Sequence, residues 1–217
     1  MTIAVSKVTG LVLAGGLSRR MFSGHAGAGD KGLLEIAEKP MIAHVVDRLK
    51  PQVGMLAINA NGDPARFADF GFPIVADTIE GFAGPLAGVL AGLRWAAVNA
   101  PAARWIVSVS SDAPFLPPDL VSRLAHAVRD RGNAIAIAQS GDGLHPVIGL
   151  WPLALADDLE ESLKAGLRKV LHWTDRHGTV PVPFANIRVG GEFIDPFFNA
   201  NTPQELEEAR RLMGASR

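Results

Sequence analysis

A three-layer α/β fold around a mostly parallel sheet is what this sequence predicts, on three observations. Short apolar runs alternate along the chain with amphipathic helical patterns. Most of those runs stop abruptly at a glycine or a polar residue, as strands do when they reach the open edge of a sheet. The length, 217 residues, suits one such domain and would cramp two.

Each element has its own signal. Residues 8–13 are apolar and β-branched, as a central strand requires, and end at Ala14-Gly15-Gly16. Residues 41–50 place Ile42, Val45, Val46 and Leu49 on one helical face. Strands are expected at 55–59 and 73–76, and Gly84-Pro85-Leu86-Ala87-Gly88 opens a helix. Residues 105–110 read as the next strand, and 118–131 as a helix with Leu120, Leu124 and Val128 aligned. Strands at 134–138, 147–151 and 180–184 come next, and Thr202-Pro203 starts a final helix over 204–212.

Composition excludes several classes of function. A formal charge of −1 argues against a surface built for nucleic acid. With no cysteine there are no disulfides or thiolate metal sites, which fits the cytoplasm. No stretch reads as a signal peptide or membrane span. The six histidines lack metal-ligand spacing, and His172 and His177 read as surface or interface residues. No nucleophile elbow indicates hydrolysis.

The segment Leu13-Ala14-Gly15-Gly16-Leu17-Ser18-Arg19-Arg20-Met21, continuing to Asp30-Lys31, joins a buried strand to a loop with clustered cations. Paired glycines let backbone N–H groups approach an anion without a Cβ in the way. Arg20 and Lys31, with Arg19 beside them, supply charge for a phosphate tail, and Asp30 stands where it would orient the lysine. No Gly-Lys-Ser/Thr occurs at Walker spacing and the first turn lacks Gly-x-Gly-x-x-Gly, so neither a P-loop nor a dinucleotide fold is implied. Asn59, Asp77 and Asp112 each sit at a strand end, the edge where ligands collect. Asp112, followed by Ala113-Pro114, suits Mg²⁺; on the residue alone a loop or helix-cap role is equally open. His145 is either a structural hydrogen-bond partner or a substrate contact.

These motifs in this order, with Asn59-Ala60-Asn61, Ser111-Asp112-Ala113-Pro114 and Asn199-Ala200-Asn201-Thr202-Pro203, resemble the molybdenum cofactor guanylyltransferase family, the MobA type, over nearly the whole chain. The resemblance implies a single Rossmann-like nucleotidyltransferase domain over 1–217. Residues of about 8–140 would bind GTP, and those of about 141–217 would receive molybdenum-molybdopterin. GMP would pass from GTP to that acceptor with release of pyrophosphate. Leu13, Ala14, Gly15, Gly16, Lys31, Asn59, Asp77 and Asp112 would contact the nucleotide. Arg20, Lys31 and Asp112 would act in catalysis, with Asp112 holding Mg²⁺ or Mn²⁺. Asn199 and Asn201 would face the pterin substrate or the metal. Proteins that deliver or accept the labile cofactor would be partners, without nucleic acid or membrane.

One segment departs from the family pattern: Arg-Met and Asp-Lys are separated here by the glycine-rich residues 22–29, either a flap over the triphosphate or an exposed insertion. The alternatives are a cytidylyltransferase of the same cofactor, a sugar-1-phosphate nucleotidyltransferase, or a noncatalytic nucleotide-binding module. Cytidine-using relatives tend to show Ala-Ala-Gly where this chain has Ala14-Gly15-Gly16, which favours GTP.

Overall fold

The strand Val8–Leu13 (β1) is buried at every position and lies at the centre of the molecule. Its two faces belong to different cores: Val8 and Val12 pack on one side, Leu11 and Leu13 on the other. The computed structural model describes residues 3–15, 21, 29–79, 84–141 and 143–214.

After β1 come the short hairpin Glu35–Ile36 (β2) and Lys39–Pro40 (β3), then helix Met41–Leu49 (α1) and strands Met55–Asn59 (β4) and Ile74–Val75 (β5). Helix Pro85–Asn99 (α2), strand Trp105–Ser110 (β6) and helix Leu120–Val128 (α3) complete the parallel half. The second half begins with strands Ile135–Ser140 (β7) and Gly143–Pro152 (β8), and continues through helices Ala156–Lys164 (α4) and Val170–Thr174 (α5) to strand Thr179–Phe184 (β9). The hairpin Ile187–Val189 (β10) and Glu192–Ile194 (β11) and helix Pro203–Gly214 (α6) end the described chain.

Seven strands form one sheet in the order β5-β4-β1-β6-β8-β7-β9. All neighbours pair in parallel except β8, which is antiparallel to both β6 and β7. β7 ends at Ser140 and β8 begins at Gly143, and a gap that short closes only as a hairpin. Helices α1 and α3 cover one face; α2, α4 and α5 cover the other. A third apolar cluster joins α6 to Ile36, Met41 and Phe115. The three-layer fold with a mostly parallel sheet is therefore as the sequence predicts.

The differences are local. The strand expected at 147–151 runs from Gly143 to Pro152, because its half-buried first half, Gly-Leu-His-Pro-Val, still pairs with β7. The strand expected at 73–76 shrinks to Ile74–Val75. Among the described residues no helix is long and apolar enough to cross a membrane.

Candidate active site

Leu13 is registered with Asn59 on one side and with Ser110 on the other, and Asn59 is registered with Val75. The ends of β5, β4, β1 and β6 therefore form one row across the sheet, and the residues just beyond them converge. A cavity of about 540 Å³ opens over this row, of a size that takes a nucleotide-sized ligand. Ala14, Gly15, Asn59, Asp77 and Ser110 face it, and the first turn of α2 closes it at Gly84, Pro85 and Gly88. That helix directs the positive end of its dipole at the cavity, as an anion requires.

One end of the cavity is organised around Asp77. Asn59, buried in the sheet, donates from Nδ2 to the Val75 carbonyl at 3.0 Å and to Asp77 Oδ1 at 2.8 Å. Asn61 donates to the other carboxylate oxygen at 2.8 Å and accepts from the Asp77 N–H at 2.8 Å. Two amides thus hold one carboxylate.

The close approach of α2 makes this arrangement possible. A Cβ on Gly88 would lie 2.3 Å from Asn59 Oδ1 and 2.8 Å from Leu13 Cδ2. Gly88→Ala is therefore expected to destabilise the fold by about 1–3 kcal/mol, the usual cost of overpacking, and to weaken nucleotide binding by displacing Asn59 from Asp77. Urea unfolding and nucleotide titration on the same preparation check both effects.

Next to the cavity, past its lining residue Ser110, a second group is organised around Asp112. Its carboxylate, in a residue 1% exposed, forms an ion pair with Lys31 and accepts from the Ser110 hydroxyl. Lys31 Nζ also donates to Asn201 Oδ1 at 2.7 Å. The backbone of the C-terminal segment is tied in as well, because the Ala200 N–H donates to the Asp112 carbonyl at 3.1 Å. Next to it, Asn199 Oδ1 is buried without a partner among the described residues. The helix-cap reading of Asp112 fails, since α3 starts only at Leu120. The expectation that Asp30 orients Lys31 is also corrected: Asp30 pairs with Arg66, and Lys31 turns to Asp112 and Asn201.

The segment carrying Asn199 and Asn201 is anchored further along the same edge. Ser140 Oγ donates to Asp195 Oδ2 at 2.6 Å and lies 2.6 Å from His145 Nε2. The Asp195 carboxylate also accepts from the Phe197 N–H at 2.7 Å, and the His145 ring packs on Phe197 at 4.8 Å between centroids. Burial lowers the His145 pKa, partly offset by Asp195, so the ring favours its neutral form. Of the two readings of His145, the structural one accounts for all these contacts. At the start of α6 Thr202 and Glu205 form a reciprocal capping box. His177, expected at the surface or an interface, is half-buried against Trp173 and within 2.8 Å of the Asp158 carboxylate.

Gly16, Arg19 and Arg20, and residues 22–28 of the insertion, lie outside the described residues, and the contacts expected of them belong to that part of the chain. Leu13, Ala14, Gly15, Lys31, Asn59, Asp77, Asp112, Asn199 and Asn201 are all placed along the one sheet edge.

Residues 10–180 match the MobA-like NTP transferase domain. The chain belongs to that family. It is 52% identical over 203 residues to the molybdenum cofactor guanylyltransferase of Rhodopseudomonas palustris strain BisB5, covering 93% of this chain and 92% of that one. It is 50% identical over 206 residues to the same-named protein of Bradyrhizobium sp. strain ORS 278, covering 94% and 92%. The fold is similar to the crystal structure of molybdopterin-guanine dinucleotide biosynthesis protein A from Archaeoglobus fulgidus, with a TM-score of 0.71, 22% identity, and 95% and 98% of the two chains covered.

Within this MobA-like domain, sequence reasoning passed over three participants. Asn61 had a signal: alternation beyond the strand end puts it on the same face as Asn59. Ser110 had a weaker one, as the last residue of a strand before Asp112. Arg66 had none, since nothing local separates it from other surface arginines.

The oxygen donors at Asp112 fit a divalent cation of the open kind. Among the described residues no group of three or more His, Cys, Asp or Glu side chains is placed to hold a metal, so the donor set there is not a closed protein cage. One buried carboxylate, with the unpartnered Asn199 Oδ1 in the adjoining segment, suits an ion that takes its remaining ligands from phosphate and water.

Proposed function

We propose that this MobA-like transferase moves GMP from GTP to molybdenum-molybdopterin, forming the guanine dinucleotide and pyrophosphate. The observation that carries the proposal is the polarity of the sheet edge: an amide-held carboxylate in the cavity at Asp77 and the Lys31–Asp112–Asn201 group next to it past Ser110. The names of the closely related guanylyltransferases support the choice of substrates.

The two carboxylates have separate tasks. Asp77 is held at the end of β4, and Asp112 lies just past β6, two strands away in the sheet. At about 4.8 Å per strand that is about 10 Å, too far for both to serve one ion. Asp77, held by Asn59, therefore takes the guanosine end, where its carboxylate accepts from the donors of a polar base edge. Gly15 takes the phosphates by its backbone N–H with the positive end of α2 facing them, while the Ala14 N–H stays bonded to the Asn59 carbonyl at 2.9 Å.

Asp112, with Asn199 beside it, would hold Mg²⁺ or Mn²⁺. When bound, the ion supplies charge neutralisation at the α-phosphate and the departing pyrophosphate. Lys31 then exchanges the Asp112 carboxylate for a phosphate oxygen while Asn201 keeps its ammonium in place. The acceptor phosphate is already an anion, so in-line attack on the α-phosphorus needs no protein nucleophile or base. Arg20, by the family resemblance, adds a second cation to this end. Residues of about 141–217 contribute the acceptor side through the segment that Ser140 and Asp195 anchor.

Pyrophosphate release tests the proposal. It is expected only when GTP, molybdenum-loaded molybdopterin and a divalent cation are all present. Release from GTP alone would indicate a hydrolase, and none under any combination would indicate a binding module.

A further inference from the structure

Arg66 stands at the rim of the cavity, in the short 3₁₀ segment Pro64–Phe70 between β4 and β5. Its guanidinium is held on three sides. Nη1 pairs with the Asp30 carboxylate, Nη2 donates to the Asn61 carbonyl, and Nε donates to the Asp63 carbonyl at 3.0 Å. The Phe67 ring lies 5.5 Å from the guanidinium carbon.

Asp30 is the notable partner. It lines the same cavity and immediately precedes Lys31, so the wall of the proposed nucleotide site carries a carboxylate. That side chain is only 11% exposed, against 37% for Arg66, so water screens its charge poorly. A polyanionic nucleotide entering beside an unpaired carboxylate would be repelled. Arg66 reaches across from the β4 side and cancels that charge.

We propose that Arg66 sets nucleotide affinity by neutralising Asp30, a role that rests on the reading of this cavity as the GTP site. Arg66 is a positioning and charge-compensating residue; Lys31 and Asp112 remain the groups nearest the reacting phosphate.

A purely structural clasp between the two loops makes a different prediction, because breaking it from either side would weaken binding alike. Charge compensation is asymmetric. In calorimetric titrations of GTP with Mg²⁺, Arg66→Ala is expected to raise Kd about tenfold, with Arg66→Lys in between. Asp30→Asn is expected to bind GTP at least as tightly as the unmodified protein. The double variant, lacking both charges, should return to within about threefold of it. The Arg66→Ala loss should also shrink as ionic strength rises.

An Arg66→Ala protein with unaltered Kd would overturn the proposal, and so would a double variant as weak as Arg66→Ala. Failure of the unmodified protein to bind GTP would remove the functional reading and this inference together. Normal binding that is indifferent to these substitutions would remove this inference alone.

Discussion

Asp112→Asn is expected to lower kcat by about 10³-fold while leaving the fold in place. Asparagine keeps the shape of the side chain and an oxygen for the Ser110 hydroxyl, so packing at this buried position survives. It loses the charge that pairs with Lys31 and that would hold the cation. The cost to stability is about 1–2 kcal/mol, below that of a fully buried pair, because the Lys31 side chain is 22% exposed and also bonded to Asn201. Asp112→Ala is a poorer probe. Its side chain is 2% exposed and holds two partners, so truncation would deprive both of that contact. Circular dichroism and steady-state pyrophosphate release measured together distinguish a lost cation site from a lost fold. A variant that keeps most of its cation-dependent turnover would take Asp112 out of the mechanism.

Lys31→Ala should lower kcat/KM by about 10²–10³-fold, the range for removing one preorganised charge from a transition state. Lys31 Nζ reaches Asp112 and Asn201 together, a meeting of one point cation with two oxygens from distant parts of the chain. Lys31→Arg should therefore restore only part of the activity, since a planar fork cannot reproduce that geometry. The split between constants is informative: an effect confined to KM for GTP would place Lys31 on ground-state phosphates alone. Unaltered kinetics would make it an ordinary surface cation.

Much of this site was legible in the sequence because it is built on strand ends. The apolar runs 8–13, 55–59 and 105–110 name their own last residues, and parallel pairing in register then aligns Leu13, Asn59 and Ser110 in one row. The residues just past each strand are carried to the same edge without any long-range information. The partners of those residues were less legible. Asp30 next to Lys31 invites a local ion pair, yet tertiary structure gives each a different partner, Arg66 and Asp112. Such pairings depend on how loops from separate strands meet, and no spacing along the chain encodes that. The same reason hid the anchoring of Asp195 by Ser140, 55 residues apart. The antiparallel insertion of β8 was readable in principle, since a gap from Ser140 to Gly143 cannot accommodate a crossover. The glycine, histidine and proline in its first half masked the strand as a loop.

Base choice is the part of the function on which the account is most exposed. Asp77 is pinned by Asn59 and Asn61, whose bonds to it leave the carboxylate as a fixed pattern of acceptors. A fixed pattern discriminates strongly, because the wrong base leaves its groups unpaired. The most direct test is a single reaction in which GTP, CTP and ATP compete at equal concentration for molybdenum-loaded molybdopterin, with the dinucleotide products identified by mass. The guanine dinucleotide is expected to exceed the others by about 10²-fold or more. A predominant cytosine product, or a mixture without preference, would contradict the assignment of this transferase to GTP.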